Sequence, residues 1–167
     1  RLNLRGIPAW SHRPSRSLRE EPAALCMLTF ALLAHPEWGI APTRFDVAYA
    51  LVQAIEGLDL VRSRLLVDIT YRIKEGAPRL TSFDLIQGEM QERITFLLGE
   101  RFEQLRGWIA YNQMSGESLD TFLSRLFGEL LSQPGYGFHA DFHAGQVAAN
   151  LIESIQKFRW AAGDSLV

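Results

Sequence analysis

A chain of 167 residues, 47% of them apolar, is long enough to bury a core and too apolar to be disordered throughout. Its net charge of −2 is near neutral, and no apolar run reaches membrane-spanning length, the stretch from Ala23 to Ala34 being too short. One cysteine, Cys26, excludes an internal disulfide framework, and its apolar neighbours suggest a buried thiol, as suits a cytoplasmic protein. The chain opens at Arg1 without an initiator methionine or a signal peptide, which reads as a piece excised from something larger.

Charge is unevenly spread. Arg1, Arg5, Arg13, Arg16 and Arg19 crowd the first nineteen residues with no acid among them, so the remaining 12 Lys and Arg face 19 Asp and Glu. Such asymmetry points either to an anionic partner for the basic end or to a solvated arm, or one that docks on another domain. Residues 1–19 have no helical period and are broken by Gly6, Pro8, Pro14 and serines; they read as an extended arm with room for a short strand. Residues 20–167 read as one helical domain.

Glu20-Glu21-Pro22 is a helix start, with acids in the first turn and proline near the first helical position. Leu25, Leu28, Thr29, Leu32 and Leu33 would be buried, and His35-Pro36 ends the helix. Residues 37–42 form a turn around Trp38-Gly39-Ile40. Thr43 caps a helix that turns Phe45, Ala48, Tyr49, Leu51, Val52 and Ile55 inward and closes at Gly57. Asp59 opens another carrying Leu60, Val61, Leu65, Val67, Ile69 and Ile73, which ends in Glu75-Gly76-Ala77-Pro78.

Thr81 or Ser82 caps a segment from Phe83 to Ile86. A long pattern follows from Glu89 through Met90, Ile94, Leu97, Leu98, Phe102, Leu105, Trp108 and Ile109. Gly99 and Gly107 within it each cost about 1 kcal/mol relative to Ala, so a kink or break is expected near Gly99. After a polar loop, Ser118 caps a helix with Leu119, Phe122, Leu123, Leu126, Phe127, Leu130 and Leu131 on one face. Gln133-Pro134-Gly135 stops it. The last helix carries Val147, Ala148, Leu151, Ile152, Ile155 and Phe158, with Gly163 as a stop. No alternating strand is evident after Leu18. The fold class is all-α: an irregular bundle of six to seven helices with an extended, partly strand-like basic arm.

Motifs that carry chemistry are scarce. The chain has no G-x-x-x-x-G-K-[ST] phosphate loop, no G-x-G-x-x-G and no G-x-S-x-G. Cys26 sits mid-helix in an apolar run, unlike a catalytic thiolate. His139, Asp141 and His143 could share a metal if their segment is helical; the alternative is a polar loop that caps the last helix. Glu89, Glu92, Glu100 and Glu103 lie on the wet side of a helix, where carboxylates mainly solvate. Taken alone, this chain shows no catalytic residue, no bound metal and no cofactor, and a small metal-dependent enzyme rests only on His139 and His143.

Leu4-Arg5-Gly6-Ile7-Pro8, followed by a helix ending Phe30-Ala31-Leu32-Leu33-Ala34-His35-Pro36, resembles a segment of the UvrD/Rep-type superfamily 1 DNA helicases. In that family a Gly-Ile-Pro strand and a helix ending in Asn-Pro lead into the accessory 2B subdomain. Gly135-Tyr136 and a later helix with Asn150-Leu151 and Phe158 are similar to that subdomain's last helices. The chain also resembles helicase-like subunits of AddB/RecB nuclease systems. Ala149 departs from the family's Glu before Asn-Leu, and Gly39-Ile40-Ala41 only partly matches its duplex-contacting Gly-Ile-Gly turn, which otherwise is an ordinary interhelical turn.

The resemblance implies a monomeric accessory domain of a bacterial repair or recombination helicase. It would gate or contact duplex DNA, while the parent's motor domains use ATP and Mg. The implied DNA contacts, weak and without sequence preference, are Arg5, Arg13, Arg16, Arg19 and Arg44, with Gly39 and Ile40 at the turn. A stand-alone helical protein-interaction module, with an incidental arm and no membrane partner, is the competing reading.

Overall fold

Pro22 has no amide hydrogen to leave unpaired, so it opens helix α1 (Pro22–Ala34) at no cost. The computed structural model describes residues 17–85 and 88–166, so the expected strand of the arm, Arg1, Arg5, Arg13, Arg16 and Ile86 lie outside the described residues. Ahead of α1, Ser17 and Glu20 form a reciprocal cap around a short turn, and Leu18 packs onto the core.

Helix α1 is the centre of the bundle, in contact with α2 (Arg44–Ala54), α5 (Phe96–Tyr111), α6 (Leu119–Leu126) and α8 (Phe142–Leu166). Its buried side chains are Ala23, Ala24, Cys26, Met27, Thr29, Phe30, Ala31, Leu33 and Ala34. The expected Leu25 is 49% exposed, and Leu28 and Leu32 are only half-buried. A helix apolar on every side gives its period nothing to choose between. The small Ala and Cys side chains decide instead, because they let neighbouring helices approach closely. Cys26 is buried as expected; its thiol donates to the Ala50 carbonyl at 3.3 Å, and burial pushes its pKa well up.

The same rule corrects α2. Thr43 and Asp46 cap it reciprocally, and Val47, Ala48, Ala50, Leu51 and Ala54 are buried. Phe45 and Tyr49, expected inward, are 56% and 46% exposed, their rings 4.7 Å apart. Asp59 caps α3 (Leu60–Thr70), whose Ser63 donates to the Ala48 carbonyl at 2.7 Å. Val61 and Ile73, also expected inward, are exposed.

Helix α3 stops at Thr70, short of the expected end. The chain becomes an antiparallel hairpin of β1 (Tyr71–Lys74) and β2 (Ala77–Leu80), a correction to the helical reading of this stretch. Glu75 and Gly76 have φ of +55° and +79°, the left-handed pair that a two-residue hairpin turn requires. The register pairs Lys74 with Ala77 and Ile73 with Pro78, so proline falls where no ladder N–H is needed. Thr81 extends the ladder through its N–H to the Thr70 carbonyl at 2.8 Å.

The long pattern after Glu89 is two helices, α4 (Gly88–Ile94) and α5. The break falls at Thr95, with φ +71°, and not at Gly99. Gly99 is glycine for another reason: a Cβ there would strike the Phe83 ring. Glu103 is more than a solvated acid, since it accepts from the Ser82 hydroxyl at 2.8 Å and pairs with Arg106 at 2.7 Å.

Helix α6 runs into a wider π turn, Phe127–Leu131, and α7 (Gly137–Ala140) leads into α8. Phe122, Leu123, Leu126, Leu130, Leu131, Val147, Ala148 and Leu151 are buried, while Phe127, Ile152 and Ile155 are partly so. Phe158, expected in the core, is 76% exposed, and α8 continues through Gly163 to Leu166. Eight α-helices and one two-stranded sheet are thus present among the described residues. None of these helices is long and apolar enough to cross a membrane.

Candidate nucleic-acid interface

The turn after α1 stands on an aromatic base. His35 ends the helix with its Nδ1 2.7 Å from the Ala31 carbonyl, and its ring stacks on Trp38 at 4.2 Å and meets the edge of Phe122. Gly39 follows with φ +74°, a conformation that favours glycine. Ile40 projects into solvent, 57% exposed. The chain then returns through buried Pro42, whose carbonyl accepts from the Tyr71 hydroxyl at 2.5 Å.

Arg44 is close to this turn in sequence, but its guanidinium leans toward α3. It lies 3.4 Å from the Val67 carbonyl, 3.9 Å from Asp68 and 6.0 Å from the centre of the Tyr71 ring. Arg19 is exposed in the turn ahead of α1. The 13 residues of α1, about 20 Å at 1.5 Å per residue, separate it from Gly39. The structure therefore does not bring Arg19 and the Gly39–Ile40 tip together; Arg5, Arg13 and Arg16 are outside the described residues.

The side chains of His139, Asp141 and His143 do not converge on one point. His139 Nδ1 is 2.9 Å from the Ser132 carbonyl, and His143 Nε2 is 3.1 Å from the Glu21 carboxylate. Asp141 accepts from the His143 and Ala144 N–H groups, which caps α8, while His139 lies in the short helix α7 and not in a loop. No group of three His, Cys, Asp or Glu side chains among the described residues is arranged to hold a metal ion.

Two surfaces went unread in the sequence. The outer face of the hairpin carries Arg72, Lys74 and Arg79, all exposed, and β2 packs beside the Pro36–Trp38 turn. Next to it Arg79, Arg106 and Gln113 open on a recess of about 180 Å³ floored by Leu33, Leu80 and Ile109. The Glu75-Gly76 pair was the available signal, since it closes a two-residue hairpin and puts alternate residues on one face. The second surface is an apolar groove of about 430 Å³ between α1 and α2, lined by Leu25, Leu28, Leu32, Phe45 and Tyr49. No protein-family model, no curated protein and no solved structure matches this chain.

Proposed function

We propose that the chain is a non-catalytic accessory domain of a DNA helicase, comparable in role to the 2B subdomain of UvrD/Rep-type enzymes or to its AddB/RecB-type counterpart. It gates or contacts duplex DNA during repair or recombination. Motor domains elsewhere in the parent hydrolyse ATP with Mg, and this domain itself does no chemistry.

The observation that carries the reading is the exposed Gly39-Ile40 tip. It is a partial counterpart of the Gly-Ile-Gly turn with which the resembled family touches duplex, with Ala41 in place of the second glycine and a shorter distance from the helix ending His35-Pro36. Gly39 bonds its own N–H to the Pro36 carbonyl at 3.1 Å, so a phosphate contact at this turn would fall to the residues after it, and such contacts position a protein on DNA without reading sequence. The aromatic base and the Tyr71–Pro42 hydrogen bond hold that tip in place.

Titration with forked DNA tests this, comparing wild type with Ile40→Asp and with an Arg13/Arg16/Arg19→Ala variant. Affinity is expected to fall in both variants and to weaken with added salt, about one unit of log–log slope per phosphate neutralised. ATPase activity is expected to be absent with or without DNA. Binding that ignores salt and both variants would overturn the DNA role.

The groove between α1 and α2 favours a second reading, a helical protein-interaction module. Half-exposed Leu25, Phe45 and Tyr49 form an apolar strip of the kind that marks protein-contact sites. Chains that ignore forked DNA yet lose a protein partner on Tyr49→Glu would decide for it.

A further inference from the structure

We propose that the outer face of the β1–β2 hairpin, together with Arg106, is a binding surface for the phosphates of a nucleic-acid backbone. The choice of nucleic acid as partner rests on the function proposed above; the site itself is separate from the arm and from the Gly39 tip.

Register sets the face. Arg72 is paired directly with Arg79, and Lys74 with Ala77, so these four share one side of the hairpin, three cations and one small residue. Tyr71, Pro78 and Leu80 turn the other way, into the protein. Like charges directly opposite one another weaken a hairpin. An anion seated between Arg72 and Arg79 would convert that repulsion into attraction. Lys74 and Arg79 have no ion-pair partner among the described residues, whereas Arg72 is oriented by bonds from Nη1 to the Asp68 and Tyr71 carbonyls, both 2.9 Å.

The recess adds a prearranged donor. Glu103 engages Arg106 through Nε alone, at 2.7 and 2.8 Å, and Ser82 holds Glu103 in turn. The terminal amino groups of Arg106 thus sit on a fixed guanidinium plane at the wall that Arg79 shares. A guanidinium already held in place loses little freedom when it binds, and its planar fork matches phosphate oxygens. Leu33, Leu80 and Ile109 line the same recess, and apolar walls strengthen a charge contact. At about 180 Å³ the recess is smaller than typical small-molecule pockets, which begin near about 300 Å³. That size fits a phosphate group of a longer polymer better than a free nucleotide. Because β2 packs beside the Pro36–Trp38 turn, the surface lies near the Gly39 tip without including it.

The test is anisotropy of a labelled duplex with a single-stranded tail, titrated with the full 167-residue chain across a salt series. Wild type is compared with Lys74→Ala/Arg79→Ala, Arg79→Lys and the exposed control Arg64→Ala, each checked by circular dichroism. The double variant is expected to lose about two units of salt slope together with affinity, Arg79→Lys to retain the slope, and Arg64→Ala to match wild type. Wild-type slope and affinity in the double variant would overturn this inference alone and leave the helicase reading standing. Equal displacement by pyrophosphate, ATP or anionic vesicles at matched phosphate would also overturn it, in favour of a free-phosphate or general anion site. If wild type binds no DNA at all, both this inference and the DNA role fail.

Discussion

Tyr71 and Pro42 are joined by a hydrogen bond of 2.5 Å from the phenolic hydroxyl to the proline carbonyl, across 29 residues of chain. The bond ties the first residue of the hairpin to the exit of the Gly39 turn. Burial raises the Tyr71 pKa, and the nearby Arg44 offsets this only in part, so the hydroxyl keeps its proton at neutral pH. Tyr71→Phe leaves a buried carbonyl without its donor and is expected to cost about 1–3 kcal/mol in urea unfolding. Unchanged stability would mean that the turn and the hairpin are held together by other contacts.

Glu103 links the loop after the hairpin to α5. Burial tends to raise its pKa, but hydrogen bonds from Arg106 and Ser82, the Arg106 charge and the Phe83 N–H together hold it below the ordinary 4.5. A carboxylate with a depressed folded value stabilises the fold above its unfolded pKa, and that contribution is lost as pH falls through the folded value. Glu103→Gln is therefore expected to cost on the order of 1 kcal/mol at pH 7, a modest loss because solvent screens the partly exposed pair. The difference from wild type should narrow as pH is lowered through the carboxylate range. A gap that stays constant down to strongly acidic pH would assign the effect to packing.

Two helical glycines should respond oppositely to the same change. A Cβ on Gly137 would collide with the Gln53 carbonyl oxygen, a backbone atom that cannot rotate away, whereas Gly107 has open space around it. Gly107→Ala is expected to stabilise by about 0.5–1 kcal/mol through helix propensity. Gly137→Ala is expected to destabilise by about 1–3 kcal/mol, as overpacking does. Thermal melts of the two variants give the comparison, and equal shifts would refute the crowding at Gly137.

Leu126 and Phe158 separate core from periphery on helices that the sequence pattern treats alike. Leu126 is fully buried, and Leu126→Ala is expected to cost about 2–5 kcal/mol. Phe158, 76% exposed, should tolerate Phe158→Ala within about 0.5 kcal/mol. A large loss at Phe158 would mean that the end of α8 is covered by something further.

Local chemistry made much of the fold legible in the sequence. Thr43 with Asp46, Asp59, and Pro22 mark helix starts through groups that lie within a few residues of one another. The stop at His35-Pro36 and the core stripe of Leu123, Leu126 and Leu130 are likewise short-range patterns. Tertiary packing decided the rest. Helix α1 is apolar all round, so only its neighbours could select alanines for the interior and leave Leu25, Phe45 and Tyr49 along an open groove. The hairpin was missed because Ile69, Thr70 and Ile73 fit a helical period as well as a strand, and only the left-handed Glu75-Gly76 turn breaks the tie. The basic face followed from that turn: Arg72 and Arg79 are seven residues apart in the chain, and only strand pairing sets them opposite each other and brings Arg79 beside Arg106. Sequence spacing carries caps and stripes, but a charge constellation built across strands and helices exists only once the chain has folded.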